Sequence, residues 1–263
     1  MTLSENLRTV LRIPLSRKLS LVSLVRDLFV YPDLKFIYYL SAVKFVERTL
    51  RRVNVRTQLT SYSTNVYADF VKLRDLAKST EDSGYNLGAH FAPLYLILYA
   101  TVREFKPRLV IETGVASGFS SYFILKALED NQYGSLISID LPNYSNQSGY
   151  VNYSGVLERV YTPPSHGIGW VVPNKLRNRW KLIIGNSVEE LSALGVQADI
   201  FLHDSDHSYE VMSYEFNWAY ENGARLILSD DIGRNKAWLQ FVSSKGLIHA
   251  EFDDQGIAFR NVL

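Results

Sequence analysis

From about residue 92 the chain alternates short, almost wholly apolar runs with segments of helical period. The run "PRLVIET" (107–113) is followed by "SSYFILKALED" (120–130), and "GSLISIDLP" (134–142) by a long irregular stretch. The alternation then resumes through "KLIIGN" (181–186), "SVEELSAL" (187–194), "ADIFLHD" (198–204), "SYEVMSYEFNWAYENG" (208–223) and "ARLILSDD" (224–231). Strands apolar on both faces, each followed by a helix, predict a mainly parallel α/β sheet covered on both sides. A helix around "KAWLQFVSSKG" and the closing pair "LIHAEF" and "GIAFRNVL", joined by the turn "DDQG", predict an antiparallel strand at one edge.

In such a sheet ligands bind beyond the carboxyl ends of the strands, where the connection order reverses. The polar punctuation falls there: Glu112, Asp140, Asn186, Asp204, and Asp230 with Asp231 close the five strands in turn. One acid at a strand end is an ordinary cap or loop residue, but five ends of five argue for a site. The first turn, "ETGVASGFSS", carries Gly114 and Gly118, which let the backbone turn tightly and approach a ligand; Ser120 or Ser121 can cap the next helix. Asp140 lies 22 residues beyond Gly118, where a carboxylate can take both hydroxyls of a ribose. The G-x-G-x-x-G spacing of dinucleotide sites is missing, and Glu112 beside the glycines would repel a phosphate and welcome a cation. A cationic, ribose-bearing cofactor points to S-adenosylmethionine.

The stretch "VIETGVASGFSS" resembles the E-x-G-x-x-x-G first motif of the class I methyltransferases, in the version carried by the cation-dependent O-methyltransferases of the catechol and caffeoyl-CoA type. The likeness continues in order through "SIDLP", "IIGNSVEEL", "IFLHDSDHSYE" and "LILSDDI", over roughly residues 85–263, with a further likeness to methyltransferases carrying D-x-D-H-S-Y. The resemblance implies a Rossmann-like fold with a seven-stranded sheet. It also implies that Glu112, Gly114, Gly118 and Ser120 line the methionine part of the cofactor, that Asp140 binds the ribose, and that Asn186 and Ser187 border the adenine. Asp204, Asp230 and Asp231 fall where those relatives hold their metal. The relatives usually end the fifth strand in Asp-Asn; here it ends in Asp-Asp, which leaves the third ligand open.

Elementary chemistry supports an ion on its own terms. Mg²⁺ takes oxygen ligands and keeps positions for water and substrate. Carboxylates at two adjacent strand ends could share it, and without it would repel, raising at least one pKa. A bound ion would acidify a coordinated hydroxyl and hold its oxygen near the methyl group. His207, three residues beyond Asp204, stands where the catechol-type enzymes place a catalytic lysine, so a general-base role is expected; capping the next helix or orienting Asp206 is the alternative. His203, inside an apolar strand, reads as a core histidine.

The stretch 141–180 is too long for an ordinary connection and holds Tyr144, Tyr150, Tyr153, Tyr161 and Trp170. It is assigned, with the N-terminal helices and "GYNLGAHFAP" (84–93), to the acceptor pocket as a lid; a surface insertion with scattered aromatics is the alternative. His90 and His166 are candidate polar contacts without an identifying spacing. Residues 1–84 read as a helical cap and 85–263 as the cofactor-binding domain. Residues 1–57 hold eleven Lys or Arg against four acids, and "LVSLVRDLFVYPDLKFIYYLSAVKFVERTLRR" reads as two amphipathic helices broken at Pro32. Such a basic pair can lie on an acidic membrane, but packing on the main domain or a second copy, giving a homo-oligomer, is the preferred expectation.

A net charge of +1 offers no case for nucleic acid and leaves a small-molecule acceptor as the partner. The absence of cysteine excludes thiol nucleophiles and thiolate metal sites, so any metal is held by oxygen or imidazole. With no signal-peptide pattern and no apolar run of membrane-spanning length, a cytoplasmic location is expected. The function expected is methyl transfer from S-adenosylmethionine to a small hydroxylated acceptor, assisted by Mg²⁺ or another divalent cation. A metal-independent methyltransferase acting on an amino or other polar acceptor, and a non-catalytic nucleoside-binding module, stand as alternatives.

Overall fold

The computed structural model describes residues 30, 31, 33–81, 92–141, 150–153, 156–159 and 166–260. The helical region contributes α1 (Leu34–Arg52), α2 (Leu59–Thr64) and α3 (Tyr67–Glu81). Asp33 caps α1 by accepting the backbone N–H groups of Lys35 and Phe36 at 2.9 and 3.2 Å, which supplies the start expected after Pro32. The first of the two expected amphipathic helices lies outside the described residues, as do His90, Tyr144, Tyr161 and the side chains of Tyr150 and Tyr153. No helix among the described residues is long and apolar enough to cross a membrane.

Next come α4 (Pro93–Phe105), β1 (Leu109–Thr113), α5 (Phe119–Asn131) and β2 (Ser135–Asp140). The insertion, irregular by sequence, contains a hairpin of β3 (Tyr150–Tyr153) with β4 (Val156–Arg159) and a 3₁₀ helix, Asn174–Arg179. The chain continues through β5 (Trp180–Ile184), α6 (Ser187–Ala193), β6 (Ile200–His203), α7 (Tyr209–Glu221), β7 (Leu226–Ser229) and α8 (Ala237–Ser244). It closes with β8 (Ile248–Phe252) and β9 (Gln255–Phe259).

Seven strands form one sheet in the order β5-β2-β1-β6-β7-β9-β8, with β9 antiparallel to both of its neighbours. Side chains of a strand alternate between faces, and the core divides accordingly. Val110, Leu136, Leu202 and Leu228 pack toward α1, α4 and α5; Ile111, Phe201 and Ile227 pack toward α7 and α8. β6 and β7 are buried at every position, which is why they read as unbroken apolar runs.

The connection order reverses at β1, whose neighbours are β2 on one side and β6 on the other. The parallel register sets Ile139, Thr113, His203 and Ser229 level with one another across four strands. The residues that follow, Asp140, Gly114, Asp204 and Asp230, therefore leave the sheet side by side.

Candidate functional site

The glycine turn is fastened from three sides. Gly114 adopts φ +80°, and its N–H donates to the Ile139 carbonyl at 2.9 Å. A Cβ placed there would lie 1.8 Å from the carbonyl oxygen of Asp204, so only glycine fits between β1 and β6. Asp140 accepts the N–H groups of Val115 and Ala116 at 3.0 and 2.8 Å on one oxygen and that of Leu141 at 2.8 Å on the other. Burial nevertheless holds its pKa above the ordinary carboxylate value. The insertion supplies the third side: Gly169 and Val171 donate their N–H groups to the carbonyls of Ala116 and Ser117 at 2.8 and 3.1 Å. Trp170 donates its indole N–H to the Ser117 hydroxyl at 3.2 Å. Arg177 braces this segment by donating to the Gly169 and Val172 carbonyls while its guanidinium lies 5.1 Å from the Trp180 ring centre. The described end of the insertion thus packs on the glycine turn.

Two buried carboxyl groups flank this edge of the sheet, one on each face. Glu112 is fully buried and accepts hydroxyl hydrogen bonds from Ser120, Ser121 and Ser138, each at 2.6 Å. Its three hydrogen-bond partners are neutral, so desolvation outweighs the bonds and, with the nearby Asp140 carboxylate, pushes its pKa up to about 7. Glu112 therefore fastens the start of α5 to β1 and β2 from beneath the turn, and Ser120 is turned toward it.

This carries a prediction with a definite sign. A carboxyl group whose pKa is raised by folding costs stability as pH rises from its unfolded value to its folded one. Between pH 4.5 and about 7, Glu112 should remove about 3 kcal/mol. Glu112→Gln keeps the hydrogen-bonding shape without the charge. Urea unfolding at pH 5 and pH 8 should show the variant gaining on wild type by about that amount at the higher pH; an equal difference at both would contradict the assignment.

On the opposite face Glu215, from α7, is also fully buried, but one of its partners is a histidine. It accepts hydrogen bonds from the hydroxyls of Thr113 at 2.5 Å and Ser205 at 2.9 Å, and meets His203 Nδ1 at 2.6 Å. His203, with the Ser187 and Thr113 hydroxyls, overcomes burial and holds the Glu215 pKa below the ordinary value. His203 is thus a core histidine with a charged partner. Glu215 was missed by sequence reasoning, because one glutamate in "SYEVMSYEFNW" looks like any surface acid of an amphipathic helix.

Asp204 and Asp230 stand next to each other at the ends of β6 and β7. Burial raises both, and each is raised further by acidic neighbours: Asp230, Glu112 and Asp231 act on Asp204, and Asp231 on Asp230. Asp230 also accepts an N–H from the Gln255 amide at 3.1 Å. Asp231 is engaged elsewhere, with the Arg234 guanidinium at 2.8 and 2.9 Å and His207 Nδ1 at 3.9 Å from its Oδ2. Among the described residues no cluster of three or more His, Asp or Glu has an arrangement that could hold a metal ion. The expected set Asp204, Asp230 and Asp231 thus reduces to a pair plus an acid paired with arginine.

His207 sits at the edge of this group with its ring 5.1 Å from that of His203, in an edge-to-face arrangement. Its Nε2 is buried without a hydrogen-bond partner. Burial, then the neighbouring His203, lowers its pKa to about 4, so the ring is neutral near pH 7. Asp206 accepts the Ser208 N–H at 2.8 Å, and Ser208 caps α7 by accepting from Val211 at 3.4 Å. At the far side Asn186 caps α6, accepting from Val188 and Glu189 at 2.9 and 3.3 Å.

Residues 111–231 match the model of a family described as a methyltransferase domain. Solved structures share the architecture at low identity. An O-methyltransferase of Bacillus cereus in complex with S-adenosylhomocysteine is 11% identical, with 84% of this chain and 100% of that one covered and a TM-score of 0.50. A methyltransferase of Podospora anserina bound to S-adenosylhomocysteine is 14% identical, with coverage of 82% and 97% and a TM-score of 0.50. An O-methyltransferase of Streptomyces achromogenes involved in tomaymycin synthesis, in complex with S-adenosylmethionine, is 14% identical, with coverage of 71% and 88% and a TM-score of 0.51. None of the curated proteins compared matches the sequence significantly. The fold is that of the class I methyltransferases, as the sequence motifs implied.

Proposed function

We propose, for a chain with the class I methyltransferase fold and a methyltransferase-domain core, that it transfers the methyl group of S-adenosylmethionine to an oxygen of a small hydroxylated acceptor. The observation that carries this reading is the row Asp140, Gly114, Asp204 and Asp230 at one edge of the sheet, where the connection order reverses. A glycine turn for the methionine part, an acid for the ribose and a carboxyl pair for the acceptor stand there in sequence. Asp140 can serve a ribose hydroxyl while it braces the turn, because the oxygen that accepts from Leu141 keeps one lone pair while the other oxygen is filled by Val115 and Ala116. Asn186 and Ser187 at the start of α6 border the space assigned to the adenine.

Bound S-adenosylmethionine would supply an activated methyl carbon, whose bond to sulfur would break as the acceptor oxygen takes it, the sulfonium becoming a neutral thioether. The hydroxyl proton passes to Asp204, whose raised pKa makes it a stronger base than an ordinary carboxylate. His207, the base expected from the motif, carries a lone pair at pH 7, but a pKa lowered to about 4 makes it a weaker base than an ordinary imidazole. A divalent cation is the finer part of the expectation. Asp204 and Asp230 are two of its three expected ligands, and Asp231, the third, meets the Arg234 guanidinium through Oδ2, so that guanidinium would compete with an ion for this oxygen.

Calorimetric titration with S-adenosylmethionine and S-adenosylhomocysteine tests the reading. Binding of both is expected, and binding of neither would remove it in favour of another use of the fold. Methyl transfer to a panel of small phenols and catechols, run with Mg²⁺ and with EDTA, separates the two forms of the mechanism. Undiminished transfer in EDTA assigns the proton to the protein's own carboxyl groups; abolished transfer, restored by Mg²⁺, returns the ion to the site.

A further inference from the structure

The turn between β8 and β9 joins the helical region to the carboxyl pair. Asp253 accepts a hydrogen bond from the Tyr38 hydroxyl of α1 at 2.7 Å. Asp254 accepts the Gly233 N–H on its side chain at 2.7 Å and the Ile232 N–H on its carbonyl at 3.0 Å, which holds the loop leaving β7. Gln255 follows, 4% exposed, and uses both ends of its amide. Its oxygen accepts the Leu94 N–H at 2.9 Å, one of the first-turn groups of α4 that the helix leaves unsatisfied. Its nitrogen donates to Asp230 Oδ1 at 3.1 Å. One side chain thus links the start of a helix to an acid 136 positions further along the chain, as the residue numbers show.

We propose that Gln255 positions the carboxyl group of Asp230 for methyl transfer, and that through the turn between β8 and β9 the helical region sets the geometry at the acceptor oxygen. This rests on the function proposed above and assigns that function a residue outside the methyltransferase motifs. A donor amide on Asp230 favours the oxygen that faces away from it for the acceptor.

Gln255→Glu keeps the oxygen that holds Leu94 but replaces the donor beside Asp230 with a like charge. With a phenol or catechol that the wild type methylates, the variant should lose about tenfold or more in kcat while its Kd for S-adenosylhomocysteine stays within about twofold of wild type. Turnover within about twofold of wild type would overturn the proposal. So would a parallel loss of turnover and S-adenosylhomocysteine affinity, which would place the residue in folding or cofactor binding. Failure of the wild type itself to bind S-adenosylhomocysteine is a different result: it removes the methyltransferase reading, and this assignment with it.

Discussion

Gly114→Ala should abolish S-adenosylhomocysteine binding and cost about 3–5 kcal/mol of stability, the sum of a left-handed backbone penalty and an overpacking penalty. Alanine can reach φ +80° only with strain, but the larger obstacle is the Asp204 carbonyl, 1.8 Å from where the methyl group would sit. That oxygen belongs to the backbone at the end of β6, which is buried at every position and hydrogen-bonded on both sides, so it has little freedom to yield. Relief would come from pushing β1 and β6 apart, which moves Asp204 away from the glycine turn and from Asp140. Urea unfolding and calorimetry on the same preparation provide the check. A variant with wild-type stability and affinity would show that the two strand ends are not packed as described.

Glu215→Ala should be as damaging, through lost hydrogen bonds. It removes the partner of His203 and the acceptor for the Thr113 and Ser205 hydroxyls, of which His203 and Thr113 are fully buried. Deleting one member of such a buried network costs about 3–5 kcal/mol, because the groups left behind lose their partner away from water. The pH dependence has the opposite sign to that of Glu112. A carboxyl group whose pKa is lowered by folding contributes stability that is fully present above its unfolded value and lost as pH falls through its folded value. Wild type should therefore lose stability as pH drops below the ordinary glutamate range. Glu215→Ala, already weakened at pH 7, should show a shallower loss there. Thermal midpoints at pH 3, 5 and 7 would reveal it, and parallel curves for the two proteins would exclude the lowered Glu215 pKa.

These two glutamates show where the sequence could and could not be read. Glu112 was legible because it ends an apolar strand just before a glycine turn, a place where an acid demands an explanation. Its task was harder to see: the hydroxyls of Ser120, Ser121 and Ser138 reach it only because α5 and β2 fold onto β1. Glu215 was invisible, since on a helix of mixed composition nothing separates a buried acid from an exposed one. Gln255 was hidden for a related reason, because its partners, Leu94 and Asp230, are distant in the chain and one of them is a backbone N–H. Asp231 was legible as an acid at a strand end but not as the partner of Arg234, three residues on in a loop without helical period.

The sequence by itself determined the class of fold and the edge at which chemistry can occur. Strand and helix periods are local properties of side-chain spacing, and a parallel sheet of buried strands leaves its polar residues only at the ends. Tertiary structure alone decided how the acids divide: Glu112 among hydroxyls, Glu215 against histidine, Asp231 with arginine, and Asp204 beside Asp230 with the Gln255 amide at its back. A carboxyl group takes its charge state from burial and from the donors that meet it in space. Those donors come from strands, helices and loops that only folding brings together.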